Sequence, residues 1–278
     1  MLAFPKLRGQ RALIVALAAA AALANSAHAQ MGLGLTPMRL DLNLAPGAVQ
    51  SGVLTIANHG GAVVRVSADI LDFYLDATAT PQFAREFKQE SEFSCRSWLV
   101  ANPMEAELNN GTQFPVRYTV RVPQSATARS YHCAIGFTTQ PTAADLKTMG
   151  LRTAVQIVAA IYVVVGKPAV EGTIKDLKLQ YVPDPKTPEW TAVVTFNNPG
   201  LMHYRPVGSL EVLDESGAVI ETTPFTPLPV LPKREQNFVF PLKLTHGEGR
   251  YTLRARVDLG GNEIQEATAS VVATKPKP

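Results

Sequence analysis

The chain has 278 residues, with 26 Lys and Arg against 23 Asp and Glu, 46% hydrophobic residues and two cysteines. Three of the basic residues, Lys6, Arg8 and Arg11, lie in the first 29 positions, so the 249 residues after them carry no net charge. With no basic run interleaved with aromatics, that balance excludes an electrostatic footprint for nucleic acid.

Lys6, Arg8 and Arg11 precede the apolar run Ala12 to Ala24, and Ala27-His28-Ala29 places small residues at both recognition positions of a secretory cleavage site. Residues 1–29 therefore read as a signal peptide, with Gln30 as the new N-terminus of an exported chain. The apolar run is shorter than the roughly 20 residues that span a bilayer, and no cysteine follows the cleavage site to mark a lipoprotein.

From Leu35 to Leu44 the sequence reads as a first strand, ended by Ala45-Pro46-Gly47. Strands follow at 52–57 and 63–73, the second with Val64, Val66, Ala68 and Ile70 alternating. Leu75 to Ser94 is polar and charged without clear period and reads as a long excursion at a sheet edge. Order resumes at Ser97-Trp98-Leu99-Val100, with strands expected near 104–108, 113–122 and 130–138, separated by the turns Asn109-Asn110-Gly111 and Val122-Pro123-Gln124-Ser125. A connection from Thr139 to Arg152 leads into Thr153 to Val165, an apolar strand with no charged residue. Gly166-Lys167-Pro168 reads as a short interdomain elbow. Beyond it, strands are expected near 173–181, 191–197, 208–213, 238–244, 250–258 and 264–272, with Asp214-Glu215-Ser216-Gly217 as a hairpin turn and the Pro-rich 223–232 as an extended edge connection.

The two halves share a pattern. Each has an apolar strand that runs into an Asn-containing turn, at Asn58-His59-Gly60 and at Asn197-Asn198-Pro199-Gly200. Each also has a tyrosine that opens a late alternating strand, Tyr131 and Tyr251. A buried tyrosine tied by its hydroxyl to upstream backbone is the corner of an immunoglobulin-like sandwich. The fold expected is all-β, two tandem Ig-like sandwiches at 30–168 and 169–278. Cys95 and Cys133, an even pair in an exported chain, read as a disulfide closing a 38-residue separation.

Chemistry is sparse. His59, His132, His203 and His246 have no metal-ligand spacing, and there is no Gly-x-Ser-x-Gly elbow. Gly32-Leu33-Gly34 lacks the third glycine of a phosphate-binding loop. Asp69, Asp72 and Asp76 read as a solvated strand edge. No catalytic residue, metal or cofactor is expected.

Pro37-Met38-Arg39-Leu40, Pro46-Gly47, a strand ending at Asn58, Ser97-Trp98-Leu99, Val122-Pro123, and Tyr131 ahead of a long apolar strand together resemble the periplasmic pilus-assembly chaperones, over Leu35 to Pro168. The resemblance implies a non-enzymatic periplasmic protein that lends its last first-domain strand to an exported pilus or appendage subunit, with an outer-membrane usher as a further partner. The matching segment is Thr153 to Val165. The donated row is Val155, Ile157, Ala159, Ile161 and Val163, or the opposite parity Val158, Ala160, Tyr162 and Val164. A strand buried on both faces inside its own sandwich is the alternative. Family members also hold the subunit's C-terminal carboxylate with an Arg on the first strand and a Lys on the donor strand. Arg39 matches the Arg. The Lys position falls near Val163, leaving Lys167 or Arg152 as substitutes. The long excursion and the cysteine pair mark a divergent branch. A structural or adhesive two-Ig protein that lends no strand is the other reading of the same residues.

Overall fold

The computed structural model describes residues 32–275 apart from 77–78, 86, 88–90, 142–153, 184–189, 245–246 and 262. The signal peptide and Arg152 fall outside the described residues, as does the start of the expected strand at Thr153. Among the described residues no helix is long and apolar enough to cross a membrane.

The first half contains β1 (Leu33–Thr36), β2 (Arg39–Leu44), β3 (Val49–Asn58), β4 (Val64–Leu75), β5 (Pro81–Ala84), β6 (Leu99–Asn102), β7 (Glu105–Leu108), β8 (Gln113–Arg121), β9 (Arg129–Gln140) and β10 (Gln156–Val165). They form two sheets, β1-β3-β8-β6 and β2-β10-β9-β4-β5, with β7 also on β4. The inward positions alternate as a half-solvated sheet demands: Leu54 and Ile56 on β3 meet Val116, Tyr118 and Val120 of β8 in one core with Ile135 and Phe137 of β9.

The second half contains β11 (Thr173–Tyr181), β12 (Trp190–Asn198), β13 (Val207–Leu213), β14 (Val219–Pro224), β15 (Arg234–Leu242), β16 (Gly249–Asp258) and β17 (Ile264–Ala273). Sheets β11-β12-β15 and β14-β13-β16-β17 close over a second core around Phe196, Phe225, Phe238 and Phe240, whose rings meet edge to face. The fold is thus two tandem Ig-like sandwiches, all β.

The shared sequence pattern has a shared geometry. Asn58 Nδ2 donates to the carbonyls of Ala62 and Leu108, and its Oδ1 accepts from Gly60 N–H. Asn198 does the same with Met202, Val230 and Gly200. Both amides are almost fully buried, so each holds a turn against a neighbouring segment with three bonds that water cannot replace. Asn58→Ala is expected to cost about 3 kcal/mol by leaving those groups without partners, seen as a lower urea midpoint; a loss under about 1 kcal/mol would refute this role. The tyrosine corners also match: Tyr131 Oη bonds the Thr127 carbonyl and amide, and Tyr251 Oη donates to the Gly247 carbonyl at 2.7 Å.

The expected single strand from Leu35 to Leu44 is two. β1 pairs antiparallel with β3, and after Pro37-Met38 the chain crosses to the opposite sheet, where β2 pairs parallel with β10. The excursion after Leu75 is also more ordered than its composition suggests. β4 stays on β9 only as far as Leu71 opposite Ala134; beyond that, Asp72 to Leu75 pair with β5. The return segment takes the vacated place: His132 N–H donates to Phe93 O, Cys95 N–H donates to His132 O, and Cys95 is bonded to Cys133.

Candidate functional site

β10 is covered on one edge along its whole length by β9, from Gln156 opposite Thr138 to Val165 opposite Arg129. Its other edge is covered by β2 only from Ala160, opposite Arg39, onward. Ala160 N–H donates to Met38 O at 3.0 Å, so by the alternation of a strand the backbone groups of Val158 and Gln156 face the uncovered side. Val155 belongs to the other set: its amide donates to Thr139 Oγ1 and its carbonyl accepts from Thr139 N–H. Among the described residues nothing pairs with the edge 156–159. An apolar, uncharged open edge is a template for another strand.

The expected row does not form an exposed stripe. Ala159, Ile161 and Val163 are fully buried in the core of their own sandwich, because odd positions point inward between the sheets. Ile157 is half-buried against that core, and Val155 is half-buried at the sandwich end. The opposite parity, Val158, Ala160 and Tyr162, packs with Leu71, Phe73, Leu75 and Ala134. Leu231 of the second sandwich completes that cluster. From Ile161 to Val163 the strand is buried on both faces.

The elbow next to this strand gathers residues that are far apart in sequence. Gly166 turns with φ of 72°, and a Cβ there would come within 2.9 Å of the Ala128 side chain, so glycine is required. Lys167 follows, exposed. Arg39 opens β2 and its Nε lies 3.0 Å from Asp41 Oδ2. Arg205, from the second sandwich, places Nη1 3.3 Å from Asp41 Oδ1. The same Nη1 is 3.3 Å from His203 Nε2. The Arg205 guanidinium carbon sits 4.5 Å over the Tyr162 ring. Among the described residues its Nε and Nη2 are buried without a hydrogen-bond partner. Two guanidinium groups, one from each sandwich, thus share one carboxylate beside the end of the open edge, where planar fork donors suit a further carboxylate. Arg152 lies outside the described residues.

Backbone bonds tie the two sandwiches at the same place. Ser130 N–H donates to Leu201 O at 2.9 Å, and His203 N–H donates to Ser130 Oγ at 2.9 Å. Tyr162 lies between the Phe73 and His203 rings. Burial pushes its phenol up to about 12, against the opposing Arg205 charge. Burial, then the Arg205 charge, lowers His203 to about 4. Burial, then the His203 charge, lowers His132 to about 3. Both imidazoles are neutral at physiological pH.

Sequence reasoning named Arg39 as a site residue and Tyr162 in the opposite-parity row, but not Asp41, Arg205 or the two histidines. Asp41 and Arg205 are 164 positions apart and carry no local signal. Among the described residues no group of three or more His, Cys, Asp or Glu is placed to hold a metal ion. Asp69 pairs with Arg85 at 2.8 Å, and Asp72 accepts from Ser94 Oγ, so these carboxylates do not form a pair with each other.

No protein-family model matches the sequence, and no curated protein matches it. Solved structures to which the chain is similar include a chaperone–tip adhesin complex of CFA/I fimbriae biogenesis, with a TM-score of 0.46 and 11% identity over 87% of this chain and 100% of that one. The E. coli chaperone DraB is similar with a TM-score of 0.40 and 15% identity over 88% of this chain and 98% of that one. The Salmonella enterica SafA pilin–SafB chaperone complex is similar with a TM-score of 0.43 and 14% identity over 87% and 99%.

Proposed function

We propose that this protein is a non-enzymatic, cofactor-free periplasmic assembly chaperone of the pilus type, exported by a leader at 1–29, which holds an exported appendage subunit by lending it strand β10. The observation that carries this reading is the edge 156–159: uncharged, apolar from Ile157 to Ala159, open on one side among the described residues, and adjacent to the arginine pair at the elbow between units 30–168 and 169–278. An incoming subunit strand takes the free backbone groups of Gln156 and Val158, while Val155 and Ile157, half-buried at the sandwich end, supply the apolar side chains. Ala159, Ile161 and Val163 support the strand from beneath. Arg39 and Arg205 receive the subunit's terminal carboxylate, with Arg205, from the second sandwich, taking the part that the resemblance gives to a donor-strand lysine; Lys167 is too exposed to be desolvated with it. An outer-membrane usher is the partner to which such a complex is delivered. A structural two-Ig protein is the second reading, favoured by the two-sided burial of Ile161 to Val163.

The test is Val158→Pro. Its N–H faces the open edge and is unused among the described residues, so proline is tolerated at an edge but blocks an added strand. The mature protein is expected to retain, from periplasm, a small β-rich subunit identified by mass spectrometry. The variant, with an unchanged circular dichroism spectrum, is expected to bind it about tenfold more weakly. Equal retention by both proteins would favour the structural reading.

A further inference from the structure

A second site lies on the other flank of the elbow, away from the open edge. A cavity of about 640 Å³ opens between the residues that leave β9 after Leu71 and the start of β15. Its volume falls in the range of small-molecule sites. Its walls are aromatic: Phe73, Tyr74, Phe87 and Phe93, with the His132 ring among them. The rings brace one another, Phe73 against His132 at 5.1 Å and Tyr74 against Phe87 at 5.2 Å. Leu231 closes the side contributed by the second sandwich.

The charges of the lining decide what such a cavity takes. Glu92 is matched by Arg129. Asp72 accepts from Ser94 Oγ. Lys233, held in the left-handed region at φ 58°, gives its ammonium, among the described residues, only a neutral carbonyl, that of Pro199. Arg234 is exposed at the mouth, its guanidinium 5.8 Å over the Tyr74 ring, and among the described residues no carboxylate or carbonyl meets that group. With Glu92 and Arg129 cancelling, Asp72 stands against Lys233 and Arg234. Among the described residues of the lining one positive charge is left over at the rim of an aromatic slot, and burial keeps His132 neutral inside it.

We propose that this cavity binds a small aromatic carboxylate, its ring against Tyr74, Phe87 and Phe93 and its carboxylate on Arg234 and Lys233. An aromatic ring gains from edge and face contacts with the walls, and a carboxylate gains from a planar guanidinium that no described carboxylate or carbonyl holds. The site requires both sandwiches, so its occupant also fastens them together. The proposal is independent of strand lending, because no subunit takes part.

Isothermal titration of the mature protein with indole-3-acetate and with indole-3-acetamide tests it; the two differ in charge and little in size. The acid is expected to bind saturably, more weakly as salt rises, and about tenfold more tightly than the amide. Arg234→Gln, a surface change that leaves the fold intact, is expected to abolish the preference for the acid while amide binding persists. Tyr74→Ala is expected to weaken both. No saturable binding of either probe at about 10 mM, or equal affinity for acid and amide in the unaltered protein, overturns the proposal.

Discussion

Lowering the pH from neutral to about 4 is expected to destabilise the folded chain by several kcal/mol, with His132 and His203 as principal contributors. Both imidazoles are lowered in the folded state, to about 3 and about 4, mainly by burial. In the unfolded chain they take a proton near the ordinary value of about 6.5. Between that value and the folded ones the unfolded state binds more protons, so stability is full above about pH 6.5 and falls as the pH drops toward 4. The two rings flank the Phe73–Tyr162 pair at the junction of the sandwiches, and the protonated forms would face Arg234 and Arg205. The junction is therefore expected to loosen first. Urea unfolding followed at a series of pH values measures this, with His132→Phe and His203→Phe as controls. Each substitution should flatten the pH dependence. A dependence unchanged in the double variant would assign acid sensitivity elsewhere.

Removing the disulfide has an effect of similar size. The bond closes a separation of 38 residues, for which chain entropy gives about 3 to 4 kcal/mol. Its position adds a second consequence. Cys95 anchors the return segment beside His132, and Phe93, two residues before it, lines the aromatic cavity. Cys95→Ala with Cys133→Ala is expected to lower the melting midpoint by about 10 °C. Neither cysteine is exposed, so reductant under native conditions acts only through opening of the fold, and thiol release in dithiothreitol should be slow without denaturant and fast with it. A midpoint shift of under about 3 °C would show that the return segment is held by its backbone bonds alone.

Local chemistry made much of the fold legible. The alternating runs of β3, β8 and β16 point one way whatever surrounds them, and Asn58, Asn198, Tyr131 and Tyr251 act on backbone within five residues of themselves and so leave a mark at fixed spacing. The cysteine pair was legible from export and parity. The break at Pro37-Met38 was not, because both pieces have strand composition and only their partners differ. Nor was β5, whose Pro81-Gln82-Phe83-Ala84 has no alternation and exists because Asp72 to Leu75 had left β9. The apolar strand could be placed but not oriented: residues of both parities are apolar, and which parity meets the core depends on the register with β9. Arg205 and Asp41 were beyond sequence reasoning for the same reason that makes them informative, namely that the fold alone brings them together.

The crossing of the first strand from one sheet to the other acts as a length gauge. Because β2 joins β10 at Ala160, every residue after that point is closed and every residue before it is open, and the crossing sets the span of free edge at four described residues. Moving the crossing two residues toward the N-terminus would cover one more outward-facing backbone pair, and moving it the other way would expose one. The reach of this surface is thereby written into the spacing between Pro37 and Arg39, on a segment that belongs to neither the open edge nor its neighbour β9.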